Sequence, residues 1–183
     1  MKYLTTMLTL LIFTASLQAN EDLPEAEKKA IVADAKMMMT AFQGGDAELL
    51  ISKTHPAIYK LMPGGDEEAF KKMMLQAAKQ IMETGVKFEG LKFEEPDKVY
   101  KSGKDSLCFI PMKTVMTVKD MKIASSSFLI AAKGEAGEWK YLDGSALGTS
   151  PEMLWTFFPD LPRDIKIPEV KIEPLEKEPL EAE

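Results

Sequence analysis

His55 is the only histidine in the chain, so any histidine-dependent chemistry must run through it. As a general base it needs an acid or a nucleophile brought beside it by folding. The structural alternative is that it ends a short helix ahead of Pro56 and bonds a neighbouring backbone group. Trp139, Tyr141 and Asp143 alternate along one predicted strand and therefore share a face. With Trp139 pointing inward, Asp143 reaches the rim of a pocket as a general-base candidate. The simpler alternative is that Asp143-Gly144 forms the turn after the strand, its carboxylate accepting backbone N–H groups. No Cys or Glu-x-x-His partner is spaced to make His55 a zinc ligand, so the site reads as metal-free. Gly144-Ser145-Ala146-Leu147-Gly148 has its serine misplaced for a nucleophile elbow. No phosphate loop or dinucleotide fingerprint occurs, and no cofactor is implied.

The residues suited to hold a ligand are softer. Residues 107–145 read as three successive antiparallel strands. In the first of these, Cys108, Ile110, Met112 and Met116 share one face. The 13 methionines also cluster as Met37-Met38-Met39 and Met73-Met74. Flexible thioethers fill irregular cores and adaptable pockets; copper binding would need exposed, convergent thioethers, whereas these lie on core stripes. Ser125-Ser126-Ser127 interrupts an otherwise apolar strand, with Ser125 and Ser127 facing one way. That is either a polar dent able to bond a ligand or the point where the sheet meets solvent. Cys108, the single cysteine, cannot form an internal disulfide and reads as a buried, inert thiol.

Helices must position these groups. Pro24 opens a helical run that Gly44-Gly45 closes, with Ile31, Ala35, Met38 and Phe42 on its apolar stripe. Asp46 caps a short second helix, broken at Thr54-His55-Pro56 because a residue before proline leaves the helical region. A further short turn contains Tyr59. A third helix runs from Asp66 to Gly85, its stripe being Phe70, Met73, Met74, Ala77, Ile81 and Met82. From Val86 the period changes to two. Val86 and Phe88 have one parity, Leu91 and Phe93 the other, so a bulge at Gly90 is needed to bring all four to one side. Short strand residues 98–100, a turn at 102–105, and turns at 119–122 and 134–137 complete the sheet. Pro151 starts a brief last helix.

Composition sets the compartment and the partners. Residues 1–19 combine Lys2, an apolar run over residues 4–17 and a small residue, Ala19, before a plausible cleavage point. That is the pattern of a secretory signal peptide, too short for a membrane span. The mature chain is then expected to be soluble and exported, periplasmic in a double-membraned bacterium. The whole chain carries a formal charge of -6, which argues against nucleic-acid binding. Residues 20–158 form one domain. Residues 159–183 are rich in proline and charge and are expected to be extended or disordered; 161–168 can lie on the domain as a strap, and the chain beyond Val170 is expected to be flexible.

The order helix, Phe42-Gln43-Gly44-Gly45-Asp46, short helix, His55-Pro56, long helix and bulged sheet resembles the nuclear transport factor 2-like (SnoaL-like) superfamily. The resemblance covers roughly residues 25–158. It implies an α+β fold in which a strongly curved antiparallel sheet wraps N-terminal helices as a cone around an apolar pocket. Enzymes of that superfamily often hold an Asp, Tyr or His inside the cone, which makes Tyr59, Tyr100, Tyr141, Asp143 and His55 the candidates here. The superfamily also hosts many non-catalytic binding domains. No convincing set of ionisable groups converges, so the chain reads as a non-catalytic binding module with a methionine-rich pocket for a small apolar ligand. Cys108, Met112, Met116, Ser125, Ser127, Trp139 and Tyr59 are its expected contacts. The alternative is a small isomerase, dehydratase or hydrolase acting on an apolar substrate. Val115, Leu129 and Leu142 are expected on the outer sheet face, where they could support a homodimer.

Overall fold

Pro24 precedes the first helix, α1 (Glu25–Gly44), and Gly45 ends it in the left-handed conformation, φ 73. The Asp46 N–H reaches back to the Ala41 carbonyl at 2.8 Å, which closes the helix C-terminus. The Asp46 carboxylate then accepts the Leu49 N–H at 3.0 Å and starts α2 (Ala47–Lys53). His55 is extended ahead of Pro56, and residues Pro56–Leu61 make a 3₁₀ turn. The third helix, α3 (Glu67–Glu83), buries Phe70 and Ala78. The computed structural model describes residues 22–175 except 120, 136, 148, 149 and 151, and only the backbone of 63, 81, 82 and 146. The expected signal peptide, residues 176–183, the side chains of Ile81 and Met82, and the turn residues Asp120, Ala136, Gly148 and Pro151 lie outside the described residues.

The sheet strands are β1 (Lys87–Phe93), β2 (Tyr100–Ser102), β3 (Asp105–Val118), β4 (Met121–Lys133), β5 (Trp139–Asp143) and β6 (Lys171–Leu175). All pair antiparallel in one six-stranded sheet, with β1, β3, β4 and β5 in that order. With the helices this is an α+β fold. Its axis is the β3–β4 hairpin, paired without interruption from Ser106 opposite Lys133 to Val118 opposite Met121. The pairing already includes Met121 and Lys122, so the turn expected over residues 119–122 is shorter than four residues. Lys119 takes φ 47, which a tight hairpin requires.

In β1 the register shifts between Phe88 and Gly90. Phe88, Leu91 and Phe93 then stand opposite Met116, Thr114 and Met112, all on one face of β3. The bulge resolves the parity conflict in the sequence. Opposite β3, Ile110 meets Leu129 and Cys108 meets Ala131, and Ala131 in turn meets Tyr141. These residues share a buried cluster with Ile31 and Ala35 of α1.

The second sheet face carries another cluster, with Phe109, Phe128, Ile130 and Leu142 in it. It is covered by Leu154 and Phe158, at the last helix α4 (Met153–Phe157), and by Leu161. Ile165, Ile167 and Val170 pack beside them. The Trp155 indole donates to the Leu161 carbonyl at 3.1 Å, and the Arg163 guanidinium lies 4.9 Å over the Trp155 ring. The strap expected over residues 161–168 is present. The expectation of flexible chain beyond Val170 is corrected for Lys171–Leu175, which pairs as β6 with Lys122–Ser126 of β4. The side chains of β6 stay exposed, Ile172 at 70%. The segment is held by backbone pairing along the part of β4 that β5 does not reach, which composition does not report. A second correction concerns the homodimer residues. Leu129 stands opposite Asp143, and Ile130 opposite Leu142, so Leu129 and Leu142 lie on opposite faces and are both buried.

Gly144, buried after β5, leaves the Phe128 ring its space: a Cβ there would come within 2.2 Å of the ring. Gly144→Ala is expected to cost about 2–3 kcal/mol, roughly 4–12 °C in Tm, through overpacking. Gly44→Ala, where nothing lies within 4 Å of the added carbon, should be neutral or stabilising. Thermal unfolding of both variants checks this; an unchanged Tm for Gly144→Ala contradicts the packing described.

Candidate functional site

The period of α1 brings Ala35, Met38, Met39 and Phe42 to one stripe, and that stripe borders an apolar cavity of about 310 Å³. From α3 come Phe70, Met73 and Met74; from α2 and the turn after it, Leu50, Thr54 and Ile58. The sheet closes the cavity with Met112, Leu129, Tyr141, Leu142 and Asp143. Five thioethers from α1, α3 and β3 therefore line one space. Its volume falls in the range of small-molecule sites, about 300–1,000 Å³.

The polar groups at the sheet end are each engaged. Tyr141, 1% exposed, donates its hydroxyl to Asp34 Oδ2 at 3.1 Å. The same oxygen receives the Lys53 ammonium at 2.8 Å. Burial first, and then the Asp34 charge, push the Tyr141 phenol far above its ordinary value, so it stays protonated. Thr54 donates its hydroxyl to the Leu50 carbonyl at 2.7 Å, and its backbone bridges Tyr141 in parallel. Asp143 is exposed and accepts the Ser145 N–H at 2.8 Å. It therefore forms the turn after β5 while also bordering the cavity.

His55 bonds the edge of the same strand, its N–H meeting the Tyr141 carbonyl at 2.8 Å. Its ring, however, leans on Phe158 at 5.4 Å, in the cluster on the other sheet face. Nδ1 accepts the Ala57 N–H at 3.2 Å and so caps the 3₁₀ turn. Burial holds the imidazole below its ordinary value. His55, Tyr141 and Asp143 thus meet at one strand through the backbone, while their side chains take separate partners.

Comparison with known protein families, curated proteins and solved structures finds no match. The function must be argued from these residues alone.

Of the expected ligand contacts, Met112 lines the cavity. Cys108 is fully buried, and burial pushes its thiol up to about 12, which makes it a poor nucleophile. The Trp139 indole donates to Glu27 at 2.9 Å, beside the Lys133–Glu27 ion pair. That pair, more than the opposing burial, holds the Glu27 carboxyl below its usual range. Tyr59 packs its ring on Phe70 at 5.4 Å, one layer behind the lining. Ser127 is buried opposite Met112, whereas Ser125 is half-buried beside Ile172 of β6. Met116 is half-buried further along β3. The residues missed as contacts, Met38, Met39, Phe42 and Met74, were visible as helical stripes; the missing information was that the two stripes face each other across a gap. Among the described residues, no three His, Cys, Asp or Glu side chains come together to hold a metal.

The His55 shift has a signed consequence. The folded chain refuses a proton that the unfolded chain accepts below about pH 6.5, so the unfolded state gains stability as pH falls. Stability from neutral His55 is complete above that value and declines as pH falls towards the lowered folded value. His55→Asn retains an acceptor for the Ala57 N–H but does not titrate. Its Tm is expected to change less between pH 7.5 and 5.5 than that of the parent; equal slopes contradict a buried neutral imidazole.

Proposed function

We propose that this protein is an exported, non-catalytic binding module that holds a small apolar ligand in the methionine-lined cavity. The observation that carries the reading is the cavity itself: about 310 Å³, with five methionines and two phenylalanines in its lining. Unbranched thioethers adapt to ligands of irregular shape without a fixed network of polar contacts. The side chains suited to acid–base work already hold partners within the chain, His55 with Ala57 and Tyr141 with Asp34, which favours binding over catalysis. Export rests on residues 1–19, with their basic start, apolar run and Ala19. Among the described residues no helix is long and apolar enough to cross a membrane.

On this reading the α+β fold is of the cone-shaped type seen in the nuclear transport factor 2-like superfamily. The β1 bulge supports it, because it turns Phe88, Leu91 and Phe93 to the same face as Met112. So does the burial of Ile31 and Ala35 of α1 among residues of that face. Such a cone would enclose the cavity between sheet and helices.

The form to test is the chain beginning at Asn20. N-phenyl-1-naphthylamine, which fluoresces in apolar surroundings, is expected to bind it at one saturable site. Met74→Trp adds bulk within the cavity lining and should weaken the dye at least tenfold. Met121→Trp, at an exposed position on β4, should leave it unchanged. Absence of saturable dye binding, or equal affinity for parent and Met74→Trp, overturns the reading.

A further inference from the structure

The cavity lining has a one-sided hydrogen-bonding inventory. Twelve of its fifteen residues are apolar, leaving Thr54, Tyr141 and Asp143 as the polar side chains. The Thr54 hydroxyl proton goes to the Leu50 carbonyl and the Tyr141 proton goes to Asp34. What either hydroxyl can still offer is an acceptor lone pair. Asp143 adds a carboxylate with one oxygen bonded to the Ser145 N–H, and a carboxylate has further acceptor sites. No lysine, arginine or histidine belongs to the lining. Lys53, next to Thr54 in sequence, directs its ammonium to Asp34. The lining therefore supplies an apolar body, acceptors and one negative charge, with no side-chain donor to receive an anionic head group.

We propose that the ligand class of this cavity is a small amphiphilic cation, an alkyl or aryl ammonium whose N–H groups face Asp143 while its apolar part lies among the methionines. This rests on reading the cavity as a binding pocket. A fatty carboxylate of the same size would bring its charge towards Asp143 and find no partner, which selects against it by repulsion and by desolvation. The rings of Phe42 and Phe70, also in the lining, add the kind of surface that attracts cations.

The test compares octylammonium, 1-octanol and octanoate, three heads on one chain, as competitors of N-phenyl-1-naphthylamine at pH 7. Octylammonium is expected to bind at least tenfold more tightly than 1-octanol, with octanoate weakest. Asp143→Asn keeps an oxygen acceptor for the Ser145 N–H and removes the charge. In that variant octylammonium should fall to the affinity of 1-octanol, while 1-octanol itself is unchanged. The inference is overturned if octanoate equals or exceeds octylammonium, if 1-octanol binds as well as octylammonium, or if the preference survives Asp143→Asn. Those outcomes leave the pocket reading intact. Absence of saturable dye binding overturns both.

Discussion

The β3–β4 hairpin carries apolar side chains on both of its faces, and an antiparallel pair with two apolar faces must be covered twice. Ile110 and Ala131 look one way, Phe109 and Ile130 the other, and all four are buried. The chain answers with α1 and its neighbours on the first face and with α4 and residues 158–170 on the second. The C-terminal segment is therefore structural. Its aliphatic residues remove apolar area that would otherwise face water, at about 25 cal/mol for each Å².

The two covers differ. On the second face Phe109 meets Phe128 edge-on at 5.5 Å, and the spaces of about 390 and 480 Å³ beside these rings also take in charged residues, among them Lys98, Lys166 and Glu169. On the first, the sheet side chains towards Met112 are met by methionines on α1 and α3, and a gap is left between them. The Tyr141–Asp34–Lys53 contacts tie β5 to α1 and α2 at the edge of that gap. They keep a polar network beside an apolar space while spending its protons inside the protein.

Much of the fold was legible in sequence because its signals were local. Asp46 as a cap, Gly45 as a stop and His55-Pro56 as a break are each decided by a few neighbouring residues. The Gly90 bulge was legible from parity alone, since Phe88 and Leu91 cannot share a face without it. What was not legible depended on register between distant segments. Strand alternation gave Trp139, Tyr141 and Asp143 one face, yet only pairing with β4 puts Leu129 and Leu142 on opposite sides. Likewise the methionine stripes of α1 and α3 read as core, because nothing local distinguishes a stripe that meets its partner from one that stops short. The tail misled only past Val170: its polarity carried no sign that Lys171–Leu175 would pair by backbone with β4 while its side chains stay exposed.

The central claim is that apolar ligands enter between the methionine stripes, and the methionines themselves can report it. The chain from Asn20, labelled with ¹³C at the methionine methyl groups, would be titrated with N-phenyl-1-naphthylamine and followed by NMR. The account predicts saturable shifts at Met38, Met39, Met73, Met74 and Met112. It predicts none at the exposed Met121 or at Met153, which packs against the opposite cluster. Shifts centred on Met121 or Met153, or no saturable shift at the five lining methyls, would contradict it.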